Sequence, residues 1–261
     1  MMNPKLLRLV DELGSLDEQT ASQALDELEM ILTPQGLVFD EGSPECIPLM
    51  LDLALEQRTV LGSALMYYLA NVYCSAAWTW RRVRSEAAPE RRNVYDAGVA
   101  WEESVAAGYE AVLPRVLTLA RGPGETSLRG ACVMLLGGAV EQRTVLVPAL
   151  QQYFDQVVEE SLKIDAVEAV ANLGAGHRSD EPIRSAVMAW LRTRLDDAAP
   201  GIRLGAALSM MARVDDDERN ALLDVVVDSI HRGAPAVDGA VWLSGKGVGW
   251  ALDRRLPLAR E

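Results

Sequence analysis

Apolar residues recur at intervals of three and four along almost the whole chain, which is the spacing of one face of an α-helix. Clear examples lie at 25–32, 61–73, 164–173 and 186–195. The alternating Val, Thr and Tyr runs that signal β-hairpins are missing. Glycine and proline fall at the junctions between the apolar segments, where helices are expected to begin and end. The pattern therefore predicts an all-α protein.

Three prolines mark a period between residues 114 and 182. Pro114, Pro148 and Pro182 are spaced 34 residues apart, and each is expected in the first turn of an apolar helix. A proline is tolerated there because the first N–H groups of a helix have no intrahelical partner. A period of this length that contains two helices is typical of an α-solenoid.

An apolar–basic pair follows each proline and opens the next helix, with a small residue four positions after its apolar member. These pairs and small residues are Leu128-Arg129 with Cys132, Leu162-Lys163 with Ala166, and Ile202-Arg203 with Ala206. Small side chains let two helices approach closely, as stacked helix pairs require. We therefore predict helix pairs at 109–139, 143–175, 180–214 and 216–253, with an earlier pair at 44–73.

The stretch from 24 to 139 carries a family resemblance. Its features are Gln35-Gly36, Ile-Pro-Leu-Met-Leu-Asp-Leu-Ala at 47–54, Leu-Met-Tyr-Tyr-Leu-Ala at 65–70, and Trp101 followed by Val-Ala-Ala-Gly at 105–108 and Leu113-Pro114. Together with the Pro-led first helices and apolar-Arg-x-x-Ala second helices, they resemble HEAT-repeat proteins of the actinomycete type. The resemblance implies an α-solenoid superhelix of HEAT-like antiparallel helix pairs. Most such proteins have no assigned activity, some acidic ones resemble immunity proteins that neutralise toxins, and no catalytic residue is implied.

We expect one solenoid domain over 1–261. The terminal repeats of a solenoid need caps, because their outer faces would otherwise expose apolar surface. An N-terminal helix pair at about 1–33 and a C-terminal helix at about 237–253 are the expected caps. One segment, 78–101, interrupts the apolar helical pattern.

The acidic balance of the chain restricts its partners. There are 25 Lys and Arg residues against 38 Asp and Glu residues, a net charge of −13. Such a surface argues against general duplex binding and against adhesion to anionic membranes. The N-terminal residues lack a signal-peptide pattern, and no uncharged apolar run reaches the roughly 18 residues of a membrane span. We therefore expect a cytoplasmic protein without membrane contact, and a monomer rather than an obligate oligomer.

Motifs for catalysis, metal binding or cofactor binding are weak. Three cysteines without a C-x-x-C spacing suggest neither a disulfide framework nor a zinc site. His177 and His231 lack a ligand partner four residues away and are expected near helix C-termini, where a cation is favourable. Gly245-Lys246-Gly247 lacks the spacing and the Ser or Thr of a phosphate loop. We predict no cofactor, no metal and no catalytic residue.

Acidic clusters are expected at turns and helix starts. They lie at Glu159-Glu160, Asp196-Asp197 and 215–218. Carboxylates at such positions cap free N–H groups and suit the helix dipole. An alternative arises because residues 149–230 hold 15 Asp and Glu against 8 Lys and Arg. Stacked at one end of a solenoid, these residues could form an acidic face for a basic protein partner.

Segment 78–101 reverses the local charge and concentrates aromatic residues. Its candidate partner-binding residues are Trp78, Trp80, Arg81, Arg82, Arg84, Arg91, Arg92, Tyr95 and Trp101. Tryptophan, tyrosine and arginine are the residue types that interface hot spots favour, and grooves for single-stranded nucleic acid use them too. The alternative is that the tryptophans fold back on the core and the arginines pair with the chain's own carboxylates.

Together these features favour a non-enzymatic protein–protein interaction scaffold, and an immunity-type inhibitor is one form it could take. A protein partner is favoured over nucleic acid because the rest of the surface would repel phosphate. Two enzyme alternatives stay open, because some proteins with HEAT-like folds are DNA glycosylases and others resemble bilin lyases. One is a DNA glycosylase, which would need a cationic face and a catalytic carboxylate. The other is a bilin-lyase-like enzyme, which would need a tetrapyrrole pocket.

Overall fold

The described part of the chain is helical. Among these residues the computed structural model has fourteen α-helices, short 3₁₀ and π-helical turns, and no β-strand, so the all-α prediction is confirmed. Close contacts divide the chain into two compact units, Met1–Leu119 and Ala120–Glu261. The structure describes residues 3–33, 43–76, 79–175, 181–243 and 246–256.

The first unit contains six complete helices and most of a seventh. They are α1 (Pro4–Leu13), α2 (Glu18–Leu32), α3 (Ser43–Leu55), α4 (Gly62–Asn71), α5 (Thr79–Glu86), α6 (Asp96–Glu110) and α7 (Leu113–Arg121). A π-helical turn, Val72–Ala76, follows α4, and a 3₁₀ segment, Pro89–Tyr95, joins α5 to α6. The bounds of α1 and α2 agree with the helix pair predicted at the N-terminus.

Capping residues set the starts of α1 and α2. The Asn3 side chain accepts a hydrogen bond from the Lys5 N–H at 2.9 Å, and Pro4 occupies the first helical position. The Asp17 carboxylate accepts one from the Thr20 N–H at 2.9 Å. Each side chain satisfies an N–H that the helix itself leaves free. Leu13 and Leu28 are fully buried, one on each of these two helices, which pack together.

The second unit holds the remaining helices. They are α8 (Thr126–Gly138), α9 (Arg143–Gln156), α10 (Glu160–Ala175), α11 (Glu181–Arg194), α12 (Pro200–Met211), α13 (Asp216–His231) and α14 (Gly247–Arg255). Helices α8, α10 and α12 pack side by side, with α10 in the middle. The predicted boundaries of these pairs agree with the structure to within a few residues as far as α13.

The apolar–basic pairs occupy the third and fourth positions of α8, α10 and α12. The small residues that follow them, Cys132, Ala166 and Ala206, are fully buried. The approach of α8 to α10 is closer still at Gly137, where a Cβ atom would lie 2.8 Å from the Ala169 Cα. Small side chains therefore allow these helices to pack closely, as the sequence predicted.

The basic member of each pair reaches back towards the preceding helix. Arg129 Nε donates to the Ala120 carbonyl at 3.0 Å, and Arg203 Nη1 donates to the Asp197 carbonyl at 2.8 Å. Lys163 Nζ lies 5.2 Å from the centre of the Phe154 ring. Two of the three thus satisfy carbonyl groups at or after the end of a helix, and the third makes a cation–π contact.

The proline prediction is correct at two of its three positions. Pro114 and Pro182 are the second residues of α7 and α11, in the first turn. Pro148 lies inside α9, so its predicted place in a first turn is wrong. The reason is that a 3₁₀ turn, Val140–Gln142, leads directly into α9 and starts the helix earlier than expected.

The predicted C-terminal cap helix is also wrong in part. Residues 237–253 form no continuous helix, because 3₁₀ segments at Pro235–Gly239 and Val241–Leu243 precede α14. Gly247, at the start of α14, has a φ of 72°, which a continuous right-handed helix does not allow. We call residues 235–256 the C-terminal segment.

No single helix among the described residues combines the length and the apolar composition that a membrane span needs. The pair formed by Thr126–Gly138 and Val140–Gln156 meets the criteria of length and composition, but it is bent by 79°.

Candidate functional site

The predicted partner-binding segment is helical where it is described, so the expected break in the helical pattern is wrong. Trp78 lies outside the described residues. The other eight predicted residues lie on α5, on the 3₁₀ segment and on α6. Arginine is a good helix former, and a helix with a solvent-exposed face needs few apolar positions. The scarcity of apolar residues in 78–101 therefore did not indicate the absence of a helix.

A buried carboxylate holds α5 against α6. Glu102, on α6, is 1% exposed. Its Oε1 accepts a hydrogen bond from the Trp80 N–H at 2.6 Å, and its Oε2 accepts one from the Arg81 N–H at 2.9 Å. Both donors belong to the first turn of α5, where a negative charge is favourable. Sequence reasoning missed Glu102 because its partners lie more than twenty residues earlier.

We expect Glu102→Gln to lower the free energy of unfolding by about 1–2 kcal/mol, because an amide accepts through one oxygen only and leaves one buried N–H without a partner. Hydrogen exchange at the Trp80 and Arg81 amides should become faster. The neighbouring exposed residue offers a control, since Glu103→Gln should change stability by less than about 0.5 kcal/mol. Unchanged exchange in Glu102→Gln would show that Glu102 does not hold α5.

The aromatic side chains of the segment are only partly exposed. Trp80 packs against Gly98, where a Cβ atom would lie 2.7 Å from the indole Cγ. The Trp80 and Tyr95 ring centres are 6.3 Å apart. Trp101 is also half-buried. The expectation that these aromatic residues fold back on the protein is therefore met in part, and their remaining surface is available for contact.

The arginines divide into paired and unpaired groups. Arg84 Nε lies 2.6 Å from Asp96 Oδ1 in an exposed ion pair, and Arg92 Nε donates to the Ala87 carbonyl at 3.3 Å. Arg81 is half-buried. Arg82 and Arg91 are exposed, and neither side chain makes a hydrogen bond or an ion pair with another described residue. Within the part of the chain that the structure describes, the alternative of complete internal pairing is thus not met for these two.

An exposed apolar residue accompanies these arginines. Val94, on the 3₁₀ segment, is 72% exposed. The 3₁₀ segment packs against α5, so both elements belong to one local structure. We call Arg82, Arg91, Arg92 and Val94, which are exposed basic and apolar residues of this local structure, the basic surface. Guanidinium groups bind carboxylates, and protein interfaces combine such groups with apolar residues.

The acidic clusters cap helices, as predicted. Asp215 Oδ1 accepts from the Glu218 N–H at 2.9 Å at the start of α13. Asp197 Oδ1 accepts from the Ala199 N–H at 3.0 Å, and Glu160 Oε1 accepts from the Gly201 N–H at 3.1 Å. These contacts satisfy N–H groups at or near helix starts.

The remaining sequence motifs are the two histidines and the Gly-Lys-Gly motif at 245–247. His231 lies in the last turn of α13, as expected, while His177 and Gly245 lie outside the described residues. The described residues contain no group of three or more His, Cys, Asp or Glu side chains placed to hold a metal ion.

Sequence reasoning missed a second polar site, centred on α10. Asp165 is 1% exposed, and its Oδ1 accepts a hydrogen bond from the Trp242 N–H at 3.3 Å. Its Oδ2 is buried and has no hydrogen-bond partner among the described residues. Burial raises the pKa of Asp165 to about 8, although the backbone N–H groups of Trp242 and Val241 favour the ionised form. The carboxyl group is therefore largely protonated at neutral pH.

Glu168, one turn further along α10, has a lowered pKa, in contrast to the raised pKa of Asp165. Its Oε1 lies 2.5 Å from Arg255 Nη2, and its Oε2 accepts from the Ser209 hydroxyl at 2.6 Å. Burial disfavours the ionised form, but the guanidinium groups of Arg255 and Arg213 outweigh it and hold the pKa of Glu168 below its usual range. Arg213 Nη2 also donates to Asn172 Oδ1 at 2.7 Å. Glu168 is thus a buried carboxylate with two partly buried cations.

The C-terminal segment covers this site. It packs against α8, α10 and α12, and it supplies both Trp242 and Arg255. The Arg255 guanidinium lies 4.6 Å from the centre of the Trp242 ring, so the two groups form a cation–π pair. The sequence signal was a pair of carboxylates three residues apart in the otherwise apolar stretch 164–171, which is unusual for a buried face.

Comparisons with known proteins give no further guide: no family model, no curated protein and no solved structure shows a significant match to this chain.

Proposed function

We propose that this chain is an α-solenoid of HEAT-like antiparallel helix pairs that acts as a non-enzymatic protein-binding module. The basic surface is its docking site, and an acidic segment of a protein partner is its ligand. An immunity-type inhibitor, which neutralises a toxin by binding it, is one form such a module takes.

The solenoid part of the proposal is supported by the repeated packing in the second unit. Helices α8, α10 and α12 lie side by side, each with an apolar–basic pair at its third and fourth positions. Each basic side chain then reaches back to the helix or turn before it. Such repetition is expected where each unit packs mainly on its neighbours.

The binding part is carried by one observation: Arg82 and Arg91 are exposed and unpaired among the described residues of a chain whose net charge is −13. A chain with so many carboxylates could readily pair them internally. Unpaired guanidinium groups beside the exposed Val94 are complementary to a carboxylate-rich segment with apolar residues.

The test is a partner search with the full chain and two variants. The double variant R82E/R91E reverses both unpaired charges, and R8E/R58E reverses two other exposed arginines as the control matched in net charge. We expect the wild type and R8E/R58E to retain a stoichiometric protein from the native host, and R82E/R91E to lose it. With the purified partner, affinity should fall about tenfold or more in R82E/R91E, and should weaken with added salt.

Two results would contradict the proposal. One is the absence of any stoichiometric protein partner at low and moderate salt. The other is a partner that R82E/R91E binds as well as the wild type. Duplex DNA in a gel shift and a free bilin in an absorbance titration test the two enzyme alternatives, and neither ligand is expected to bind.

A further inference from the structure

The face formed by α8, α10 and α12 carries polar groups that the C-terminal segment covers. Two of these groups contact the segment directly. Asp165 accepts the Trp242 N–H, and Glu168 forms an ion pair with Arg255 in which both side chains are nearly buried. The segment is therefore held by specific polar contacts as well as by its apolar residues.

The C-terminal segment does not need these polar contacts in order to cover the hydrophobic core. Taking a carboxylate and a guanidinium out of water is costly, and apolar residues of similar volume often stabilise a protein as well or better. A segment whose only role was to cover α10 would be held at least as stably by apolar contacts. A guanidinium matched to a carboxylate instead gives directional selectivity, which is the property of a recognition site.

The segment also leaves one group on this face unsatisfied. Asp165 Oδ2 is buried without a hydrogen-bond partner among the described residues, and it lies against Gly130, where a Cβ atom would be 2.6 Å from it. The same Cβ atom would also collide with the Val241 side chain. Asp165 Oδ2 is thus enclosed between α8 and the segment. A ligand that supplies its missing hydrogen-bond partner must take the place of Val241 and Trp242.

We propose that this face is a second binding site, for an arginine-bearing peptide segment of a protein partner, and that the C-terminal segment occupies it in cis. The competing peptide places its guanidinium on Glu168 and makes hydrogen bonds to both oxygens of Asp165. Because it satisfies one more buried polar atom than the C-terminal segment does, it displaces that segment. This site is independent of the basic surface and of the function proposed for it.

The experiment uses the full chain and a fluorescent peptide with the sequence of residues 235–256. In the wild type the site is occupied, so the peptide should bind weakly. In R255E the carboxylate at 255 repels Glu168 and releases the segment, and the peptide should bind about tenfold more tightly or better. A peptide that itself carries R255E should not bind. R232E, which alters an exposed arginine outside the site, should behave as the wild type.

Each outcome decides the question. Tighter binding of the peptide to R255E than to R232E supports the proposal. A folded R255E chain, verified by circular dichroism, that binds the peptide no better than the wild type overturns it. If R255E does not fold, R255Q takes its place in the same assay, together with hydrogen exchange at Trp242. If R255Q also fails to fold, the segment is an integral part of the core and the proposal is wrong.

Discussion

Glu168→Gln is expected to lower the free energy of unfolding by about 3–5 kcal/mol, the cost of leaving a buried charge without its counter-ion. The amide keeps the shape of the side chain but removes its negative charge. Arg255 is only 12% exposed in its side chain, and Arg213 is half-buried. Both guanidinium groups would then lie in the protein interior without the carboxylate that balances them.

The effect should depend on pH in a defined direction. The pKa of Glu168 is lower in the folded protein than in the unfolded chain, so its contribution is present above the usual pKa of 4.5. That contribution is lost as the pH falls through the folded pKa. The difference between wild type and Glu168→Gln should therefore be greatest at neutral pH and shrink on acidification.

Urea unfolding monitored by circular dichroism over a series of pH values measures this difference. Glu141→Gln, an identical change at an exposed position of the same unit, is the control and should alter stability by less than about 0.5 kcal/mol. A change in Glu168→Gln no larger than in this control would mean that the two guanidinium groups find other partners or reach solvent.

The helices of this chain could be predicted because apolar spacing is a local property. The pairs α9–α10 and α11–α12 lie within a few residues of the predicted ranges. The errors arose where local backbone chemistry overrides the pattern. Apolar residues at 237–252 suggested one helix, but the positive φ of Gly247 divides that stretch. Pro148 suggested a helix start, but an earlier 3₁₀ turn had already begun the helix.

The candidate sites were less predictable because their partners are distant in sequence. Exposed arginines at 82 and 91 could be proposed from composition alone, and the structure leaves them unpaired among the described residues. The site on α10 could not. Trp242 and Arg255 lie 77 and 87 residues after the carboxylates they contact. Only the packing of the C-terminal segment shows that Asp165 and Glu168 are buried and not on a solvated face.

Asp165→Asn is expected to stabilise the protein at neutral pH. The folded pKa of about 8 lies well above the ordinary value of 3.8, because burial disfavours the ionised carboxylate. Between these two values the folded protein binds one more proton at this site than the unfolded chain does. Stability therefore falls by about 1.4 kcal/mol for each unit of rising pH in this range.

Asparagine does not ionise, so this penalty is absent in the variant at every pH. Its amide oxygen can still accept the Trp242 N–H. We expect Asp165→Asn to be more stable than the wild type by about 2–4 kcal/mol at pH 7, with the difference falling towards zero near pH 4. Thermal and urea unfolding from pH 4 to about 8 measure it, with the exposed Asp224→Asn as the matched control. A wild-type stability that runs parallel to that of Asp165→Asn across this range would show that Asp165 does not hold a proton in the folded protein.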